Sequence, residues 1–212
     1  MALDFTAIDF ETANPSTASA CAVGLARVRS GRVVARASWL IQPPPGHDEF
    51  ADWNVRFHGI GPEDVAGAKR WTDQLDDLAA FAGADVLVAH NAGFDMSVLK
   101  RACDATGDAC PPYRYMCSLQ VSRKVYDLES YRLPLVATAA GFGAFPHHDP
   151  GADAHACAQI IIDSARRVGA RDVHALAEIV GVKVSQIAVP EAEEARPRSL
   201  SERSETKRTQ AA

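Results

Sequence analysis

Hydrophobic and polar positions alternate with period two near the start of the chain and with a period near 3.6 further on. Residues 3–11, "LDFTAIDFE", read as a strand with Phe5, Ala7, Asp9 and Glu11 on one face. A second strand covers 20–29, "ACAVGLARVR". The turn signal "SGR" at 30–32 leads into a third strand at 33–43, "VVARASWLIQP", which predicts antiparallel neighbours. "PPPGHDEFADWNVRFHGIG", 43–61, reads as a long loop. Pro62 then opens a short helix, "PEDVAG", with proline at its first position and acids in its first turn.

Helical periodicity returns at 72–82, with Thr72 as the expected cap and apolar positions at 75, 78, 79 and 82. "DVLVAHN", 85–91, is a continuous apolar run and predicts a strand buried on both faces. "FDMSVLKRACDATG" predicts a helix stopped by Gly107. "YRYMCS" reads as a short strand, and "LQVSRKVY" and "LPLVATAAG" as helices. "GADAHACAQIIIDSARRVG" reads as a long helix ending at Gly169, and a last helix is expected over about 172–180. Three antiparallel strands followed by alternating helix and strand predict a mixed five-stranded α/β sheet flanked by helices. Main domain, 1–170; short helical extension, 171–189; tail, 190–212: this is the expected division. The tail lacks apolar periodicity and is expected to be disordered.

Composition narrows the function. A chain of 212 residues, 47% hydrophobic, is long enough for one well-buried domain. No apolar run reaches the length of a membrane span, and the N-terminus has early acids and no basic leader, so a cytoplasmic protein is expected. Cys21, Cys103, Cys110, Cys117 and Cys157 form no CxxC pair, which points to reduced thiols rather than a zinc site. A net charge of -5 argues against coating duplex DNA, where affinity comes from Lys and Arg against phosphates. It leaves room for an enzyme that grips a few nucleotides, because a metal site brings its own positive charge.

The chemistry sits in the carboxylates. Asp9 and Glu11 point the same way from one strand, with Cβ atoms roughly 7 Å apart at ~3.3 Å rise per residue. Two like charges this close to a core are costly without a cation. Alone, such a pair also fits a solvated sheet edge. Two further clusters change that balance. "VLVAHNAGFD" ends a buried strand in His90-Asn91 and places Asp95 at the start of a helix, where α/β sheets bind ligands. "HHDPGADAHA" puts His148 just before a helix and Asp153 five residues later. Hard oxygen donors suit Mg²⁺ or Mn²⁺ rather than zinc. A pair of such ions suits in-line phosphoryl displacement, and a nearby histidine can take a proton at neutral pH.

"DFET", "HNAGFD" and "HHDPGAD" together resemble the three motifs of the DEDDh 3′–5′ exonucleases, which include the epsilon proofreading subunit of DNA polymerase III and ribonuclease T. "FHGI" at 57–60 resembles another recurrent loop of that family. The likeness runs over about residues 3–168 and implies a ribonuclease H-like fold. It implies an exonuclease that releases nucleoside 5′-monophosphates from the 3′ end of DNA, with RNA open as a substrate. Asp9, Glu11 and Asp153 would hold a first Mg²⁺ or Mn²⁺. Asp9 and Asp95 would serve a second, and His148 would be the general base. Thr12 and Ala13 would hold the terminal nucleotide through the backbone. His58, Asn91 and Phe94 would line its pocket, with Phe94 stacking on a base.

One departure is Pro150, two residues after His148, where the family often has alanine; it is expected to stiffen the loop. His147 is the competing candidate for the base, and the spacing to Asp153 favours His148. Two other roles stay open: a catalytically silent nucleic-acid-binding module, and a polymerase-associated subunit or homodimer.

Overall fold

The computed structural model describes residues 2–188; the 190–212 tail expectation lies outside them. In chain order the elements are β1 (Phe5–Thr12), β2 (Ala20–Arg29), β3 (Arg32–Gln42), α1 (Asp52–His58), α2 (Pro62–Val65), β4 (Lys69–Arg70) and α3 (Trp71–Ala82). They continue with β5 (Leu87–Ala89), α4 (Gly93–Thr106), β6 (Arg114–Cys117), α5 (Ser118–Val125), α6 (Leu133–Ala139), α7 (Pro150–Val168), α8 (Val173–Val180) and β7 (Ser185–Gln186). The strands form one sheet in the order β4-β3-β2-β1-β5-β6-β7. β1, β2 and β3 run antiparallel, and β5 and β6 add parallel strands beside β1. The five long-predicted strands are present, and a two-residue strand extends the sheet at each edge.

β1 explains the layering. Its odd positions Phe5 and Ala7 pack with α5 to α8, while Ile8 and Phe10 pack with α3 and α4. Phe5, Ile8 and Leu25 are fully buried, each contributing about 1.5–3 kcal/mol of transfer free energy. The odd face continues into Asp9 and Glu11, so the core strand itself carries both carboxylates to its C-terminal end. α8 joins the core through Val173, Leu176 and Ala177, and β7 closes on β6.

α7 lies on a strip of small side chains. Ala22, Gly24 and Ala26 of β2 and Ala7 of β1 are buried, and Ala154, Ala158 and Ala165 of α7 match them. Gly24 stands opposite Asp9 in the β1–β2 register. A Cβ on Gly24 would lie 1.9 Å from the Pro150 carbonyl oxygen. The backbone at the start of α7 therefore rests directly on the strand beside the first acid. Gly24→Ala is expected to destabilise the fold by about 2–3 kcal/mol through this overlap, read as a lower urea midpoint at unchanged m-value. A midpoint equal to that of the parent chain would show that α7 can shift freely here.

Three local readings change. Within 43–61, residues 52–58 form α1 rather than loop. Its ring pair Trp53 and Phe57, one turn apart, stacks at 4.8 Å, and Gly59 at φ 78° closes its last turn. α3 begins at Trp71, and its N-cap is Arg70 rather than Thr72. The Thr72 hydroxyl instead donates to Asp108. β5 is shorter than the apolar run, because His90 and Asn91 turn the chain, Asn91 at φ 75°. All five cysteines are free thiols. Among the described residues no helix is long and apolar enough to cross a membrane.

Candidate active site

A cleft of about 530 Å³ opens at the C-terminal ends of β1 and β5. Asp9 and Glu11 enter it from β1, Asp95 from the first turn of α4 and Asp153 from the first turn of α7. Asp9, Glu11 and Asp153 each offer an oxygen within 4.8 Å of the other two. Asp95 is held against the same strand, because the Phe10 backbone N–H donates to its Oδ1 at 3.0 Å. Asp95 and Asp153 are buried, and Glu11 is 9% exposed.

Burial pushes all four acids upward, and neighbouring carboxylates add to it at Asp9 and Glu11. Asp9 lies well above its ordinary value, through burial and then Asp95, Asp153 and Glu11. Glu11 rises to about 8 by burial and the charges of Asp153 and Asp95. Asp95 rises to about 7 by burial, although the Phe10 N–H pulls it down. Asp153 is raised by burial against the opposing pull of His147. Two ionised carboxylates ~5 Å apart repel by about 3 kcal/mol at an effective dielectric near 20. Several such pairs rival the whole stability of a domain, about 5–15 kcal/mol. The donor set, four convergent oxygen acids with no lysine or arginine paired to them among the described residues, fits hard divalent cations.

A stability test follows from the sign of these shifts. The folded state holds protons on these acids that the unfolded chain, with carboxyl pKa near 4, has released by about pH 5–6. Metal-free stability therefore falls as pH rises through that window toward about 8. Thermal unfolding in chelator is expected to show a lower midpoint at pH 8 than at pH 5. Mg²⁺ or Mn²⁺ should restore it most at the higher pH, since ions compete with protons for the same oxygens. A cation effect absent at pH 8 would mean the carboxylates bind no metal.

His148 lies at φ 73°, in the left-handed region, immediately before Asp149 caps α7 by accepting from the Ala152 N–H. Pro150 takes the first helical position, where its missing N–H costs nothing. The His148 backbone N–H donates to Asp153 Oδ2 at 3.1 Å. The ring nearest that carboxylate belongs to His147, whose Nδ1 lies 2.9 Å from Oδ2. The His148 ring stacks on His147 and meets the Phe57 ring at a tilt, each centroid 3.7 Å away, and it lines the cleft. Burial, then His147, hold it below the ordinary histidine value, so it is neutral and able to accept a proton at pH 7.

The remaining expected residues divide. Thr12, His58, Asn91 and Phe94 line the cleft. Ala13 does not: it is fully buried, its N–H donates to the Ser19 carbonyl, and its carbonyl accepts from Ala51. The Thr12 carbonyl is also taken, by Asn54 Nδ2 at 2.9 Å and His58 Nε2 at 3.1 Å. The Ala13 backbone and the Thr12 carbonyl are thus engaged within the fold itself. His58 accepts from the Ile60 N–H on Nδ1, which leaves the proton on Nε2 and bolts α1 to the end of β1. The cleft also contains Phe57, from the FHGI loop, and Trp53 and Arg132, which no motif singled out. The Trp53–Phe57 spacing of one helical turn was the available signal.

Comparison with known proteins places this geometry. The family model described as exonuclease, RNase_T, matches residues 6–161. A putative bifunctional exonuclease/endonuclease protein of Mycobacterium tuberculosis (strain CDC 1551 / Oshkosh) is 30% identical over 82% of this chain and 28% of its own length. A PolC-type DNA polymerase III of Thermotoga petrophila is 25% identical over 84% of this chain and 13% of its own. The chain thus spans well under a third of either relative. Exonuclease X, solved in complex with 5′ overhanging duplex DNA, superposes at a TM-score of 0.66 with 21% identity, covering 84% of this chain and 99% of that one.

Proposed function

The chain belongs to the RNase_T exonuclease family, and on that premise we propose that it is a metal-dependent 3′–5′ exonuclease. It would hydrolyse the terminal phosphodiester bond of DNA, with RNA as the competing substrate, and release nucleoside 5′-monophosphates. The observation that carries this reading is the convergence of Asp9, Glu11, Asp95 and Asp153, from three separate parts of the chain, on one cleft beside a neutral His148.

Each group has work suited to its position. Asp9, Glu11 and Asp153 would hold one Mg²⁺ or Mn²⁺, and Asp9 with Asp95 a second. When bound, such a pair stabilises the charge that builds on the attacking and leaving oxygens. His148 takes the proton of the attacking water on its ring nitrogen, and its place on the φ 73° turn fixes that ring at the cleft wall. His58 and Asn54 keep the end of β1 from moving, and with it Glu11 and Thr12.

Phe94, 39% exposed, and Trp53, 62% exposed, line the cleft together with Phe57. Exposed rings facing a common opening suit unpaired bases, since stacking contributes about 1–3 kcal/mol per base. Trp53→Ala is accordingly expected to raise KM for a single-stranded oligonucleotide about tenfold with little change in kcat. An unchanged KM would remove Trp53 from the substrate path.

The test of the function is direct. A 5′-labelled single-stranded DNA and its RNA counterpart, incubated with the full chain and Mg²⁺ or Mn²⁺, should shorten one nucleotide at a time. Binding without shortening at any concentration of either ion would favour the silent nucleic-acid-binding module. The likeness to PolC-type polymerase favours a second role, as an exonuclease partner of a polymerase. Co-elution of the chain with a replicative polymerase would support that role, and independent elution would not.

A further inference from the structure

We infer that Arg132 is the cation that receives a backbone phosphate of the substrate other than the one being cleaved. The inference rests on the nuclease reading and specifies how the same cleft engages a polymer.

Arg132 is the sole lysine or arginine lining the cleft among the described residues. Four carboxylates line it too, yet Arg132 forms an ion pair with none of them, nor with any other acid among the described residues. An arginine placed to neutralise the acid cluster would sit on it. This one stands apart, exposed, with its five donors free for an incoming anion.

Its backbone is fixed on both sides. The carbonyl of Tyr131 accepts from His90 Nε2 at 2.9 Å, and the Tyr131 hydroxyl donates to the Tyr126 carbonyl at 3.0 Å. The carbonyl of Arg132 itself accepts from the Leu135 and Val136 N–H groups, and Leu133 is buried in the core. His90 leads directly into the turn that carries Asn91, Phe94 and Asp95, and its Nδ1 accepts from the Ser118 hydroxyl at 2.9 Å. Arg132 is therefore a free guanidinium on a rigid post, tied through one histidine to the turn that follows β5 and leads into α4, which bears Asp95.

Charge gives the post its task. Two divalent ions match four carboxylates and leave nothing over for further phosphates. A polymer brings one more negative charge with every nucleotide. A guanidinium offers paired N–H donors that suit two phosphate oxygens at once. A substrate holding a single phosphodiester has no group for Arg132 to receive, whereas an oligonucleotide does.

The experiment compares two substrates in Mg²⁺ or Mn²⁺: a ten-nucleotide single-stranded DNA, and the p-nitrophenyl ester of thymidine 5′-monophosphate, which contains only the scissile diester. For Arg132→Gln, kcat/KM on the oligonucleotide is expected to fall about tenfold further than on the mono-diester. The slope of log kcat/KM against log salt should flatten by about 0.7, the loss of one single-strand phosphate contact. Arg132→Lys should recover most of the salt slope and part of the KM. Equal losses on both substrates, or an unchanged salt slope, would overturn the assignment while leaving the nuclease standing. A wild-type chain that hydrolyses neither substrate would overturn the nuclease reading itself. An unfolding midpoint within the error of the parent for both variants separates these results from misfolding.

Discussion

Asp9→Asn is expected to lower kcat/KM by about a thousandfold or more and, at the same time, to raise the unfolding midpoint of the metal-free protein at pH 8. The two effects have one origin. Asp9 is the acid that all three other carboxylates bear upon or neighbour, and burial and their charges already hold it well above its ordinary value. Asparagine needs no proton to sit among these acids, so the metal-free fold no longer bears the cost of keeping Asp9 protonated at pH 8 and gains stability. The same change removes an oxygen that both cations would share. Their stabilisation of transition-state charge is worth several kcal/mol, and each 1.36 kcal/mol is a factor of ten in rate. Asparagine keeps the volume, so the packing beside Gly24, its cross-strand partner, is preserved. A variant retaining more than a tenth of the parent rate would remove Asp9 from the chemistry. A variant that lost both activity and metal-free stability would point to a purely structural acid.

His148→Ala is expected to lower kcat about 10²- to 10⁴-fold while leaving the cation-dependent rise in unfolding midpoint within error. Its ring faces the cleft, and only its backbone N–H touches a carboxylate, so alanine preserves the bond to Asp153. In the parent, the rate should rise with pH through a histidine titration lying below the usual value, because burial and His147 favour the neutral ring. The variant should lack that limb. His147→Ala is the control. Its ring touches Asp153 directly, so its loss should alter metal affinity more than it alters the pH profile. If the two variants exchange these behaviours, the base is His147.

The outline of the fold was legible because its rules are local. Alternation marks β1 to β3, and the continuous run at 85–91 marks a strand covered on both faces. Gly107, Gly169 and Gly181 each end a helix in the left-handed conformation. The acids were legible because two carboxylates on a buried strand conflict with the core unless something opposes their charge.

What escaped the sequence depended on distant contacts. α1 lay inside a segment rich in proline and acids, and it is held by Asn54 and His58 reaching back to Thr12, 42 and 46 residues earlier. Ala13 looked available because it follows Glu11 and Thr12, yet the chain turns inward there to pair with Ser19 and Ala51. The spacing to Asp153 favours His148 over His147 as the base, but no spacing shows that the His147 ring is the one on the carboxylate, or that His148 sits at a positive φ against the tilted ring of Phe57, a residue of α1. Arg132 carries no motif, and its relation to the cleft exists only through His90 and the Tyr131 carbonyl.

The bed of alanine and glycine beneath α7 also sets a timetable for the chain. Asp153 reaches its partners only when that late helix has come down onto β1 and β2. A chain emerging from the ribosome thus carries Asp9, Glu11 and Asp95 long before it owns a complete set. On the proposed function, any activity toward nucleic acid would be withheld until assembly is nearly finished, and its onset during refolding would then time the docking of the last long helix.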